Sequence, residues 1–241
     1  MLRWGGRLLA AALLLLFLTP LALLLTSVSR ADLARALDGG LMGLLGHSLA
    51  LTIASLVAIV LAGTPLSWWI ARHPGRLTRA AEVSVRLPLA APPAVLGIAL
   101  STAFGAGFPA EMALVVAQVC VAAPYFVLPT TAAFRTLDPE LLWTARSLGS
   151  SPAAVFTRVA VPLASPAALE GLAISSARAL GELGAAHFLV GAVGLTMPLS
   201  LLRTEDVGVQ RATAVALLLA AGVVYFAVRS KVSHRLLGRQ A

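Results

Sequence analysis

Six apolar runs, each bounded by short polar segments, organise the chain. They cover residues 8–26, 47–71, 83–104, 112–133, 165–190 and 208–228. A helix needs about 20 apolar residues to cross a hydrocarbon core of roughly 30 Å, and a helix satisfies its own backbone hydrogen bonds in lipid. The pattern therefore predicts an all-α, polytopic protein with about six transmembrane helices in a single transmembrane domain spanning residues 1–241. Within it lie an N-terminal span at 8–26, a core at about 45–228 and a tail at 229–241. Arg3 and Arg7 ahead of the first run also fit a signal peptide. The length of the stretch that follows, and the lack of a clear small-residue cleavage site, favour a retained span.

Between the fourth and fifth runs the periodicity changes. Asp138 followed by Pro139 reads as an N-cap and first-turn proline, because a carboxylate accepts from orphan amides and proline lacks the donor. Leu141, Ala145 and Leu148 then recur at helical spacing, and Gly149 suits a left-handed stop. Ser151 and Pro152 repeat the start, followed by a second stripe of Val155, Phe156 and Val159. Pro162, Ser165 and Pro166 mark a third start, the entry of the fifth run. Two short helices with a glycine corner are expected over 135–164. Such an insert either merely joins two spans or grips a partner.

Composition fixes the setting. Of 241 residues, 59% are hydrophobic and 12% charged, with mean hydropathy +0.92. That is too apolar for a water-soluble domain and makes membrane lipid the surrounding medium. The net charge of +8 is topological rather than a nucleic-acid footprint, because the basic residues cluster at the ends of the runs. One set of connections holds twelve of them: Arg3, Arg7, Arg72, Arg76, Arg79, Arg135, Arg146, Arg158, Arg229, Lys231, Arg235 and Arg239. The other holds three, Arg30, Arg35 and Arg203, diluted by Asp32, Asp38, Glu205 and Asp206. By the positive-inside bias, both termini and the Asp138 segment face the cytoplasm of a cell inner membrane. Cys120, the only cysteine, reads as packing.

The fifth run carries Glu170, Arg178, Glu182 and His187. Charges at membrane depth normally face a protein interior or a water-filled cavity. Arg178 and Glu182 sit four apart and can neutralise each other on one face, which Gly171 and Ser175 extend. Ala173, Ala177, Gly181 and Gly184 form a neighbouring small-residue stripe that permits close approach. The combination suits a translocation pathway between subunits, and equally a pair that only staples the bundle. Pro88, Pro92 and Pro93, with Gly97 a turn later, bend the third run into a second pathway wall or a packing kink. Pro124 and Pro129 do the same to the fourth.

Catalytic chemistry is poorly represented. A P-loop needs Gly-x-x-x-x-Gly-Lys-Ser/Thr, and the only lysine, Lys231, lies between Ser230 and Val232. No zinc, nucleophile-elbow or metal-spaced Cys/His motif occurs, so no catalytic or metal site is expected. Ser175 or Ser176 with His187 is the one pairing a hydrolase could use, and it is badly spaced. A secondary transporter would need internal inverted repeats, and none is evident; a channel or scaffold would leave the insert without a purpose.

The insert resembles the EAA loop of the inner-membrane permease subunits of binding-protein-dependent ABC importers: Glu-Ala-Ala, three residues, Gly, and an apolar-Leu-Pro further on. The triplet falls on Trp143, Thr144 and Ala145, the glycine on Gly149 and the proline on Pro162. Trp143 replaces the usual glutamate and Thr144 an alanine, which removes a charged contact at the first position. HSLALTIASLVAIVLAGTPLSWWIARHPG, LPLAAPPAVLGIAL and VVAQVCVAAPYFVLPTTAAFRTLDPELL resemble the second to fourth spans of molybdate and related oxyanion permeases. ARALGELGAAHFLVG and TMPLSLL resemble their fifth-span region, with the loop between Gly191 and Thr196 shortened. The likeness covers about 45–228, and thiamine, iron, sulfate and polyamine permeases share much of it.

The resemblance implies a type I importer permease that is not itself an enzyme. Two permease subunits would form the pathway, as a homodimer or with a homologous permease. Two cytoplasmic ATPase subunits, which bind the ATP and Mg, would grip the coupling loops, and an extracytoplasmic solute-binding protein would deliver the solute. The coupling contacts then fall on Asp138, Glu140, Leu141, Trp143, Thr144, Ala145, Arg146, Leu148, Gly149, Phe156 and Pro162. The pathway is expected at Pro92, Pro93, Gly97, Ser175, Arg178, Gly181, Glu182 and Gly184.

Overall fold

The computed structural model describes the backbone of residues 2–105, 108–190 and 196–237, and side chains over 7–105, 108–189 and 196–230. The side chains of Arg3, Lys231 and Arg235, all of Arg239, and the segment 191–195, expected as a shortened loop, lie outside the described residues. The described elements are all helical: α1 (Leu2–Thr26), α2 (Arg30–Asp38), α3 (Leu41–Arg72), α4 (Arg76–Ala90), α5 (Pro93–Phe104), α6 (Ala110–Arg135), α7 (Pro139–Ser147), α8 (Pro152–Val155), α9 (Val161–Leu180), α10 (Gly184–Val190), α11 (Met197–Leu201) and α12 (Val207–Leu237). Among them, five helical stretches are long and apolar enough to cross a membrane, or six if the bent α4–α5 pair counts as one.

The centre is α6, packed between α3 and α9. Ile59 of α3, Ala122, Phe126 and Val127 of α6 and Ala179 of α9 form one buried cluster. Lipid tails are as apolar as these side chains, so close packing and hydrogen bonds hold such helices together rather than water exclusion. Ser67 donates to the Val127 carbonyl at 3.1 Å and Ser55 bonds Gln118 Oε1 at 2.8 Å, tying α3 to α6 twice. Gly171 lets α9 meet the Tyr125 carbonyl, the acceptor that Pro129, lacking an N–H, leaves open. α12 packs on α9. α1 stands at the periphery, with none of its apolar window buried.

Three expectations change. The third run is not a single kinked helix but two helices whose axes differ by 118°. Pro93 cannot donate back to Leu89 and Pro92 biases Ala91 away from the helical region, so the chain breaks there, with Ala91 extended at φ −80°, ψ 134°. The fifth span does not restart at Pro162, Ser165 or Pro166. It runs unbroken from Pro152 to Leu180, with a π-helical turn at Phe156–Ala160. In that turn Val161 donates to Phe156 O, a widened loop that makes room for the Pro162 ring. Ser165 Oγ donates to Pro162 O at 2.9 Å, serving the carbonyl that Pro166 cannot. Finally, this span ends at Leu180 rather than Val190, and α10 is a separate short helix.

The segment after the first span, read only as a connection, forms α2. Ser29 and Asp32 make a capping box, and the Ser29 backbone N–H holds the Asp32 carboxyl below its usual range. Asp32 and Asp206 both pair with Arg35, at 2.6 and 3.1 Å. Asp206 is likewise held low, first by the Val209 amide. This knot closes the face of the bundle opposite α7.

Candidate functional site

Two regions concentrate the residues singled out from sequence. The first is the 138–162 segment. Asp138 Oδ1 accepts from the Glu140 amide at 2.9 Å and starts α7 with Pro139 at N1. The helix ends as the glycine predicts: Gly149 has φ +89°, its N–H bonds Arg146 O at 3.0 Å, and Ser150 N–H reaches back to Ala145 O at 3.1 Å. That pair of bonds is a Schellman closure, which needs a left-handed residue at this position. Ser151 then caps the next helix through the Ala154 amide at 3.2 Å. This second helix is the first turn of the long fifth span, not a free-standing piece.

No residue of α7 is buried. Leu142 and Leu137 hold it to a cluster of Phe134, Ala160 and Ala164 that Trp68 and Phe156 complete, with Trp68 5.2 Å from Phe134 and 5.5 Å from Phe156. Arg72 donates to Leu137 O at 3.1 Å and fixes the turn between α6 and α7. Of the expected stripe, Leu141 is 46% and Leu148 82% exposed while Ala145 is half-buried; Trp143, on the opposite side of the helix from Leu141, is 71% exposed. Thr144 and Arg146 are exposed beside them. Large apolar side chains are thus held exposed on and beside a capped helix. Phe156 and Pro162 serve it from behind, as anchor and as cause of the π turn.

The second region is the joint between α9 and α10. Arg178 Nη1 lies 2.9 Å from Glu182 Oε2, with the Glu182 side chain fully buried and that of Arg178 30% exposed. Glu182 lies beyond the end of α9, so the pair bridges the helix C-terminus rather than one helical face. Its other oxygen accepts from the Ala185 amide at 2.6 Å and caps α10. α10 packs tightly on α5. A Cβ at Gly97 would collide with the Ala185 backbone, and one at Gly184 would come within 2.7 Å of Pro93 Cβ. Pro92 and Pro93 set the start of α5, and Gly181 is exposed at the joint.

The fold thus gathers Pro93, Gly97 and Gly184 into one contact and Arg178, Gly181 and Glu182 into another. Ser175 stands apart, buried on the α6 side, where its hydroxyl donates to Ala122 O at 2.9 Å. Ser176 donates to Ala173 O at 2.7 Å, while His187 is exposed and edges against Phe188. Both serine hydroxyls are engaged by backbone carbonyls, so neither pairs with the His187 imidazole. One feature escaped the sequence reading: Glu82 of α4 accepts both Arg135 guanidinium nitrogens at 3.0 and 2.7 Å, and Arg86 at 2.7 Å. The Glu82–Arg86 spacing was a visible signal; the link to the last residue of α6 was not.

The described residues form a multi-span helical bundle in which two short helices, α5 and α10, pack on each other and a capped helix with no fully buried residue, α7, stands at one end. A family model described as binding-protein-dependent transport system inner membrane component matches residues 63–239. The molybdenum transport system permease protein ModB of Mycobacterium tuberculosis is 37% identical over 183 residues, covering 69% of each chain. A probable molybdenum ABC transporter permease of Haloferax volcanii is 34% identical over 200 residues, covering 77% of this chain and 74% of the relative. Among solved structures, an inward-facing MetNI methionine ABC transporter matches with TM-score 0.67 at 20% identity, over 86% of this chain and 99% of that one. A bacterial alginate importer matches with TM-score 0.72 at 14% identity, over 97% and 95%. The chain belongs to the family of inner-membrane components of binding-protein-dependent transport systems: it is a permease subunit of an ABC importer.

Proposed function

We propose that this permease carries molybdate or a closely related oxyanion, pairs with a second copy of itself, and is driven by ATPase subunits that dock on α7 from the cytoplasm. The observation that carries the docking role is the exposure of Leu141 and Trp143 on α7, a helix with no fully buried residue, and of Leu148 at its C-cap. Substrate class rests on the identity to molybdenum permeases; a sulfate permease of Helicosporidium is 26% identical, and sulfate is the second reading. Trp143 in place of an acidic residue gives the dock an apolar rather than a charged first contact. One copy of the motif per chain calls for two chains per transporter. The basic bias of one set of connections puts both termini and α7 on the cytoplasmic side. A solute-binding protein delivers from the other side, and closure of the ATPases, transmitted through α7, turns the pathway outward to receive the solute.

The pathway in this reading runs along Pro92, Pro93, Gly97, Arg178, Gly181, Glu182 and Gly184. Ser175 contributes by joining α9 to α6. The test is reconstitution of the permease with its ATPase and binding protein in liposomes. Labelled molybdate uptake should depend on ATP and resist excess sulfate. Uptake blocked equally by both anions would move the assignment to a general oxyanion carrier. Wild-type coupling in a Gly149→Val variant would remove the role of α7.

A further inference from the structure

Arg178 and Glu182 lie close to the level of the middle of α6, the central span. α6 has 26 residues, about 39 Å at 1.5 Å per residue, and Ala122 is at its midpoint. Ser175 touches Ala122, which sets the middle height on α9, and Arg178 follows three residues later, about 4.5 Å along the helix. Ala185 confirms the level by packing on Ala117 and Val121 of α6. Lipid headgroups begin about 15 Å from the centre, too far to be the partner of this guanidinium.

The two charges are held unequally. Glu182 is fully enclosed and has one oxygen on the Ala185 amide and the other 2.9 Å from Arg178 Nη1. That oxygen receives no well-aimed hydrogen bond, so the contact is ionic rather than a fork. Arg178 has five N–H donors in a planar array, and Glu182 is its one acidic partner among the described residues. The Arg178 side chain is 30% exposed, on the open side of α9 with Ile174, 41% exposed, and Gly181. A charge at this depth belongs on a protein-lined or water-lined surface rather than against lipid.

Building on the oxyanion reading, we propose that Arg178 is a contact site for the tetrahedral oxyanion midway through the pathway, and that Glu182 fixes the guanidinium by one edge and moderates its charge. The remaining edge of the fork matches two oxygens of such an anion. The buried carboxylate keeps the pair near neutral, which limits how tightly a dianion is held. A conduction site needs that compromise, favourable enough to enter and weak enough to leave.

The complete transporter in liposomes tests this with R178Q/E182Q, which removes both charges and leaves a neutral polar amide at each position. Molybdate uptake should fall about tenfold or more, with ATPase stimulation by the molybdate-loaded binding protein and thermal stability close to wild type. Uptake at the wild-type rate would reduce the pair to a staple and overturn the proposal. R178K, which preserves the ion pair and loses the fork, is the second variant should the first fail to assemble; it should lose several-fold in uptake at unchanged ATPase rate, and unchanged uptake there also overturns the proposal. The wild-type control separates the two readings: a wild-type complex that ignores molybdate and carries an uncharged solute overturns the substrate assignment itself, and the anion contact with it.

Discussion

α7 and the α9–α10 joint lie at opposite ends of the same long helical stretch and are built by opposite means. α7 has no fully buried residue and is held by half-buried Leu142, and local devices shape it: a carboxylate cap, a first-turn proline, a left-handed glycine. The joint buries a charged carboxylate and closes α5 on α10 with no room for a single methyl group. In the proposed docking role α7 keeps its apolar side chains outward and needs only a rigid outline. An internal site needs neighbours from several helices, because a buried charge without them is destabilising. The first should tolerate side-chain changes except at its corner, and the second should tolerate very few.

The largest effect is expected at the joint. Arg178→Ala strands Glu182 and should cost about 3–5 kcal/mol of stability, read as early thermal unfolding in detergent. Adding Glu182→Ala should recover much of that stability but not transport, and a double variant no more stable than the single would dissolve the pair. Next is Gly97→Val, which forces α5 off Ala185 and should destabilise by about 1–3 kcal/mol; an unchanged melting profile would mean the contact is loose.

At α7 the same kind of substitution should lower the melting temperature only slightly and chiefly change coupling. Gly149→Val puts a β-branched side chain at φ +89°, a local strain of about 1–2 kcal/mol. ATP hydrolysis should then proceed with little solute uptake while the bundle remains inserted. Replacing Leu148 with Ser should weaken ATPase association, measured by co-purification, with no loss of permease stability. The smallest change is Ser165→Ala, which leaves the Pro162 carbonyl without its hydroxyl donor and should cost about 1 kcal/mol.

The contrast also explains what could be read in advance. The α7 region was legible because its signals are local: Asp138-Pro139 and Ser151-Pro152 each make the cap they suggest, and Gly149 takes the left-handed turn. Prolines were harder, because their effect depends on the neighbourhood. At Pro92 and Pro93 the helix breaks by 118°, while at Pro162 and Pro166 it continues, rescued by a π turn and the Ser165 hydroxyl. The same residue type ends one helix and is absorbed by another. The Arg178–Glu182 spacing anticipated the ion pair, yet the helix stops between the two residues, so Glu182 also caps α10. α2 was missed although Ser29 and Asp32 carry its capping box in plain view, because its few apolar positions gave no long run.

Apolar runs of membrane-spanning length, the bias of basic residues and the capped insert were set by the order of residues alone, because hydrophobic length, charge asymmetry and caps act over a single turn or a single span. Which helices touch was decided only by the folded bundle. Glu82 meeting Arg135, Gly97 meeting Ala185 and Ser175 turning to Ala122 join positions 53, 88 and 53 residues apart in sequence. No local pattern encodes such encounters; they exist only when close-packed helices bring the backbones together.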